Sequence, residues 1–321
     1  AENLFWVGRY TARVLMTARF IRTLIRVISD ANHYEMQDNQ KCQTILCQAL
    51  THMTMSYPGF LSSSQEMLSN AQNEILSLIY DRNRSGSIAF TISMLKNSNY
   101  AVKNLWSSDA WRVFEKIVKN SEHYEKSNHT NLRDALHYLD ELIMRLIAFS
   151  GLVQESIAKE QGLIVFLIGN QLEESLLEIS KTRAILTFRH HSQVEYELLE
   201  AYLNSFESLN TYRYSYKSHL QYDSVVQMMI FSPNYPKSLL FKINQILELY
   251  TQLPKKAHSQ ELTSYEKPIF EAFSKLKLID YENVFEAKKS IMQNFDNLLY
   301  EISGSLASSS NNLSKSYFSH N

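Results

Sequence analysis

The chain has 321 residues, 45% of them apolar and 12% aromatic, with only 7 Gly and 5 Pro, too few breakers for the many turns of a sheet protein. A formal charge of −1, from 32 basic and 33 acidic side chains, offers no field to recruit nucleic acid or a membrane surface. Cys42 and Cys47 are the only cysteines and form neither a disulfide framework nor a zinc spacing, so the expectation is an all-α protein in a reducing, cytoplasmic setting.

The pattern at Ala1 reads as a helix already under way, which implies that a few preceding residues are lost. Five arginines between Phe5 and Ile28 are unlike a secretory leader. The first helix is predicted over Glu2 to Ser29, and a second over Asp38 to His52, stopping before Pro58 and Gly59. Ser62, Ser63 and Ser64 offer an N-cap for a third over Gln65 to Tyr80. A fourth spans Ser87 to Asn104, Ser108 caps the next, and Ser121 to Thr130 reads as the longest loop of the first half.

From Asn131 to His190 only Gly151 and Gly162 punctuate the pattern, so two long helices are expected to meet there. Leu163 to Ile168 is the longest apolar run, far short of the ~20 residues a membrane span needs. One helix is predicted over Val194 to Gln221 and a short one over Ser224 to Phe231. Pro236 sits in the first turn of another that reaches Leu253. Helices over Gln260 to Leu276 and Asn283 to Phe318 complete the chain. The Ser-rich end would pass for a disordered tail, yet Phe295, Leu299, Ile302, Leu306, Leu313 and Tyr317 keep a helical spacing through it.

Charge on apolar stripes is the sharpest signal. At about 100° of turn per residue, Glu2, Trp6, Arg9 and Arg13 share a sector that holds Phe20, Leu24 and Val27 downstream, whereas Arg19, Arg22 and Arg26 form the opposite, solvated face. Glu173 lines up with Phe166, Leu177 and Ala184, while Glu174 joins Asn170, Glu178 and Lys181 on the outward side. Arg213 shares its line with Leu199, Tyr202, Phe206 and Leu220 and is expected to point inward. Ionised groups facing a core need a partner or a ligand, because an unpaired buried charge costs several kcal/mol. Either they are salt bridges that fix helix register, or the arginine forks line a pocket for a carboxylate or phosphate.

Four stretches carry a resemblance that covers nearly the whole chain in order. Ala1 to Tyr10, then Ser107-Ser108-Asp109-Ala110-Trp111, then Phe149-Ser150-Gly151-Leu152 followed by Ile168-Gly169 and Leu172-Glu173 are the first three. Thr211-Tyr212-Arg213 with Tyr216, then Asn234, Pro236, Ser238 and Leu239, and Tyr317-Phe318-Ser319-His320 make up the last. Together they resemble the alpha-E family, a bacterial all-helical group named for a Glu-Arg motif. The resemblance implies one alpha-E-like helical domain over 1–321, built of long antiparallel helices in two weakly related halves.

Two departures stand out. Where the family has Gly-Arg-x-x-Glu-Arg, this chain reads Gly8-Arg9-Tyr10-Thr11-Ala12-Arg13. The central repeat reads Gly169-Asn170-Gln171-Leu172-Glu173-Glu174, with its arginines gone. Two arginines from one copy and one glutamate from the other survive, so Arg13 is expected to pair with Glu173, the related pair being lost at Ala12 and Glu174.

No phosphate loop, His-Glu-x-x-His, Gly-x-Ser-x-Gly or paired CxxC occurs, and neither a metal nor a cofactor is expected. Asn234 with Pro236 reads first as a capped helix start. The family is associated with circularly permuted ATP-grasp ligases and transglutaminase-like proteins. By resemblance, the favoured function is a binding or accessory module for an amide-forming or peptide-modifying system, holding a small carboxylate or peptide. The expected ligand-binding set is Glu2, Arg9, Arg13, Glu173, Tyr212, Arg213, Asn234 and Ser238. The alternatives are a non-catalytic scaffold and an enzyme with Glu173 as acid or base. A solvent-open pocket reaching the arginines favours binding, and a closed dry core favours scaffold.

Overall fold

The computed structural model describes residues 1–31, 37–61, 70–126, 131–156, 161–217, 219–254, 261–280, 284 and 291–318. Helix dominates them, as the scarcity of Gly and Pro dictates, and the nearest approach to a sheet is an isolated antiparallel bridge between Phe188 and Ile291.

Two long helices form the axis, α1 (Glu2–Ala31) and the seventh, α7 (Gln161–Leu186). They cross at a pair of glycines: a methyl group on Gly8 would collide with the Phe166 carbonyl oxygen, and one on Gly169 with the Phe5 carbonyl oxygen. Each glycine thus meets the backbone three residues before the other, a reciprocal arrangement with the form of a local two-fold. α7 is buried on nearly every side, from Leu163 and Val165 to Lys181 and Ile185, which is why its polar residues do not mark a solvent face.

The other helices dress this axis in matching fashion. Between α1 and α7 come α2 (Gln37–Thr54), α3 (Ala71–Tyr80), α4 (Ile88–Tyr100), α5 (Ser108–Lys126) and α6 (Leu132–Ser156). After α7 come α8 (Ser192–Ser205), α9 (Leu209–Tyr216), α10 (Tyr222–Val226), α11 (Leu239–Thr251), α12 (Glu266–Lys277) and α13 (Gln293–Leu313). α4 and α6 pack on α1, and α11 and α13 pack on α7, while α2 bridges both axial helices. The caps repeat as well. Ser87 accepts from Phe90 N and donates to Asp81 O, and Ser238 accepts from Phe241 N and donates to Ser232 O, the same offsets in both halves.

Several expectations change. Ser121 to Lys126 is the end of α5 and not a loop, because Ser121 is buried, Glu122 pairs with Lys96 and Tyr124 packs on Tyr138. The single helix over Val194 to Gln221 is broken: Glu207 takes a positive φ of 53°, and Ser208 N–H bonds back to the Leu203 carbonyl at 2.9 Å, closing α8 before α9 starts. α11 begins at Leu239 with Ser238 as its cap, so Pro236 precedes the helix. The Ser62 to Ser64 cap, residues 65–69 of the predicted third helix, and residues 283 and 285–290 of the predicted last helix lie outside the described residues; the last helix itself begins only at Gln293, after the Phe188–Ile291 bridge.

The Ser-rich end is helical through Leu313, with a wider π turn over Ser314–Phe318. Its serines are used. Ser309 is fully buried, with Oγ 2.7 Å from both the Tyr250 hydroxyl and the Tyr265 carbonyl, and Ser310 meets Arg9. Among the described residues no helix is long and apolar enough to cross a membrane.

Candidate functional site

Glu173 sits one turn beyond the glycine crossing, 2% exposed, where its carboxylate meets the first three turns of α1. Arg9 Nε donates to Oε2 at 2.7 Å and its Nη2 lies 2.6 Å from the same oxygen. Arg13 Nε donates to Oε1 at 2.5 Å. Both carboxylate oxygens are therefore occupied by guanidinium forks. Burial alone would raise the Glu173 pKa, but Arg9 and Arg13 outweigh it and hold the carboxyl below its ordinary value.

The two arginines differ in what remains free. Arg9 uses its third nitrogen on Ser310 Oγ at 3.1 Å, and its guanidinium lies 5.3 Å from the Trp6 ring, so it ties α1, α7 and α13 together. Arg13 spends Nε on Glu173 and holds its guanidinium 5.8 Å from the Tyr10 ring; its side chain is 36% exposed, and its terminal nitrogens form no hydrogen bond among the described residues. Two positive groups share one negative group, leaving one net positive charge, and its open side is Arg13.

That side faces a groove of about 960 Å³ which Arg9, Arg13 and Glu173 line at one end. α7 forms its floor through Leu176, Leu177, Ser180 and Ala184, continued by Thr187 just past the helix end. α2 contributes Gln48, His52 and Met53, and α13 contributes Gln293, Asp296 and Ser303. On the rim, Met55, Tyr57, Phe188 and Ile291 are exposed large apolar side chains. Arg183, on the wall, is neutralised by Asp296 in a bidentate pair at 2.7 and 3.0 Å. The groove is therefore open to solvent, largely neutral, and cationic at the Arg13 end.

Of the other predicted site residues, none joins this cluster. Arg213 lies on α9, its side chain 42% exposed and paired with Glu200 at 2.9 Å; the break at Glu207 resets the helical phase and turns it outward. Glu2 is exposed on the first turn of α1 and Asn234 is exposed before α11. Tyr212 is fully buried, its hydroxyl accepting from Gln221 N at 3.0 Å and donating to His219 O, which fixes the loop after α9. Ser238 is the α11 cap described above.

A second polar cluster is buried where the helical projection places a solvent face. Glu178 and Lys181, expected to face solvent, are fully buried in α7, and Lys242 of α11 is 2% exposed. Lys242 Nζ donates to Glu178 Oε2 at 2.8 Å and lies 3.7 Å from Glu174. Lys181 Nζ donates to Ser205 Oγ at 2.9 Å and rests 3.7 Å from the Phe206 ring centre. Burial pushes the Glu178 carboxyl up to about 7 against the pull of Lys242 and Lys181, and drives the Lys181 amine well below its ordinary 10.5. Lys242 could have been found, since it shares a line with Leu239, Ile243 and Ile246. Of the arginines expected on a solvated face, Arg26 is exposed, but Arg19 is half-buried and Arg22 is 9% exposed and paired with Asp140 and Glu207, because neighbouring helices cover that side of α1. Among the described residues no group of three or more His, Cys, Asp or Glu is placed to hold a metal.

Comparison with known proteins places this geometry in a family. The model of the Alpha-E family, described as "A predicted alpha-helical domain with a conserved ER motif", matches residues 1–318. The chain belongs to the Alpha-E family. It is similar to "Uncharacterized protein Rv2567" of Mycobacterium tuberculosis, with 25% identity over 261 residues, 79% of this chain and 29% of that protein. "Uncharacterized protein Mb2597" of Mycobacterium bovis shows the same 25% identity over the same share of each chain. The chain spans under a third of the length of these curated relatives. No solved structure matches it.

Proposed function

We propose that this member of the Alpha-E family is a helical binding module that seats a carboxylate-bearing ligand in the groove beside α1 and α7, with Arg13 as the anion contact. The single observation carrying the reading is the inequality of the two arginines: Arg9 is consumed by Glu173 and Ser310, whereas Arg13, on the lining of an open groove, keeps its terminal nitrogens without a hydrogen bond among the described residues. Glu173 acts as the part that orients both forks, and Arg9 as the part that braces three helices. A carboxylate held ionised on two guanidiniums suits charge pairing and not proton donation.

The resemblance to a family associated with ATP-grasp and transglutaminase-like proteins supports a setting in amide formation or peptide modification, with this module presenting the carboxylate partner. Two buried free cysteines suit a reducing compartment such as the cytoplasm.

A thermal-shift screen of amino acids, N-acetylated amino acids and nucleotides tests the reading on wild type, Arg13→Ala and Arg213→Ala. A carboxylate should raise the Tm of wild type and Arg213→Ala but not of Arg13→Ala. Silence from every probe would favour a scaffold whose arginines serve register alone.

A further inference from the structure

The groove is polar in a directional sense, and this narrows the ligand. Resting on the binding reading above, we infer that its occupant is a linear, largely apolar peptide whose free C-terminal carboxylate sits against Arg13 and whose chain runs along α7 toward Phe188 and Ile291.

Charge fixes the end group. Among the described lining residues, the Arg9, Arg13 and Glu173 set carries one net positive charge, and Arg183 is cancelled by Asp296. A single carboxylate balances that excess, whereas a phosphate dianion would bring one charge too many into a groove without a second free cation among the described residues. The remaining length is neutral, so the ligand carries its charge at one end.

Length and lining fix the rest. From Glu173 to its end at Leu186 α7 rises about 20 Å at 1.5 Å per residue, which an extended peptide of about six residues spans at roughly 3.3 Å each. α13 runs alongside in the opposite sense: Met292 N–H bonds Thr187 O at 2.9 Å at the far end, and Ser310 meets Arg9 at the near end. The lining mixes apolar groups, the exposed Phe188 and Ile291 above the buried Met53 and Leu177, with amide and hydroxyl groups such as Gln48, Ser180 and Gln293. Side chains and backbone amides together match that mixture, while an alkyl chain would leave the polar groups unmatched.

Isothermal titration with an N-acetylated hexapeptide, Ala-Val-Ala-Val-Ala-Leu, as free acid and as C-terminal amide, tests the inference, with N-acetyl-leucine and octanoate alongside. Wild type should bind the acid at least tenfold tighter than the amide and than N-acetyl-leucine, and Arg13→Gln should erase the preference for acid over amide. Ile291→Asp, at an exposed rim position, should weaken the hexapeptide about tenfold and leave N-acetyl-leucine unchanged. If N-acetyl-leucine binds through Arg13 as tightly as the hexapeptide, or octanoate binds as well as the peptide, the peptide assignment is overturned and the binding reading stands. If no probe binds in an Arg13-dependent way, both fall.

Discussion

Gly8 and Gly169 face each other across the α1–α7 crossing, each occupying the one place where the opposite backbone leaves no room for a Cβ. The closeness they permit is what brings Glu173, one turn on, within reach of both Arg9 and Arg13. Gly8→Ala and Gly169→Ala should each push the helices apart and destabilise the protein by about 1–3 kcal/mol or more. Gly151→Ala and Gly304→Ala, where an added Cβ meets nothing within 4 Å, should instead stabilise by about 0.5–1 kcal/mol. Urea unfolding of the four variants reads both signs, and an indifferent Gly8→Ala would remove the crossing as the fold's organiser.

Glu173→Gln strands two guanidiniums at once and should cost about 3–5 kcal/mol. Its pH signature has a definite sign. The folded carboxyl binds its proton more weakly than the unfolded chain does, so its stabilisation is present above the ordinary 4.5 and is lost as pH falls below that value. Unfolding free energy measured from pH 7 to pH 3 should therefore fall less steeply in Glu173→Gln than in wild type. Parallel curves would show that Glu173 is not held by its arginines in solution.

Lys181 has a hydroxyl and an aromatic face for company but no carboxylate within ion-pair distance among the described residues. Lys181→Met should stabilise the protein at pH 7, by about 1–3 kcal/mol on the scale of apolar replacements for buried charge. The folded protein binds the Lys181 proton more weakly than the unfolded chain, so wild-type stability rises as pH climbs toward 10.5. Thermal melts across that range should show the rise diminished in Lys181→Met, and a lower Tm in the variant at pH 7 would contradict the assignment.

Arg213 provides the contrast. It is an exposed partner of Glu200, and such pairs contribute about 0–1 kcal/mol. Arg213→Ala should shift stability by no more than about that amount and leave carboxylate binding unaltered. A loss of binding in this variant would move the site to α9.

What the sequence made legible follows from where local periodicity survives. Arg9, Arg13 and Glu173 interrupt apolar lines inside unbroken helices, so their inward direction could be read, while the pairing of Arg13 with Glu173 came from the resemblance to the family and that of Arg9 was not foreseen. The Ser-rich end kept its apolar spacing and proved helical. Arg213 failed because the chain takes a left-handed step at Glu207, and phase cannot be carried across such a break. Glu178 and Lys181 failed for another reason: α7 is surrounded, so its polar side is covered by α11 and α8 instead of water. The groove had no local signal, since its walls come from α2, the turn at Gly86 with the start of α4, the turn at Phe188, and α13, segments joined only by tertiary packing.

Ligand recognition in the groove turns on the terminal nitrogens of Arg13, which form no hydrogen bond among the described residues, meeting a carboxylate. Calorimetric titration of N-acetyl-leucine into wild type and Arg13→Gln measures it directly. Wild type should show saturable one-site binding, and the variant should bind at least tenfold more weakly. Equal affinity in the two proteins, or no heat above dilution in either, would contradict it.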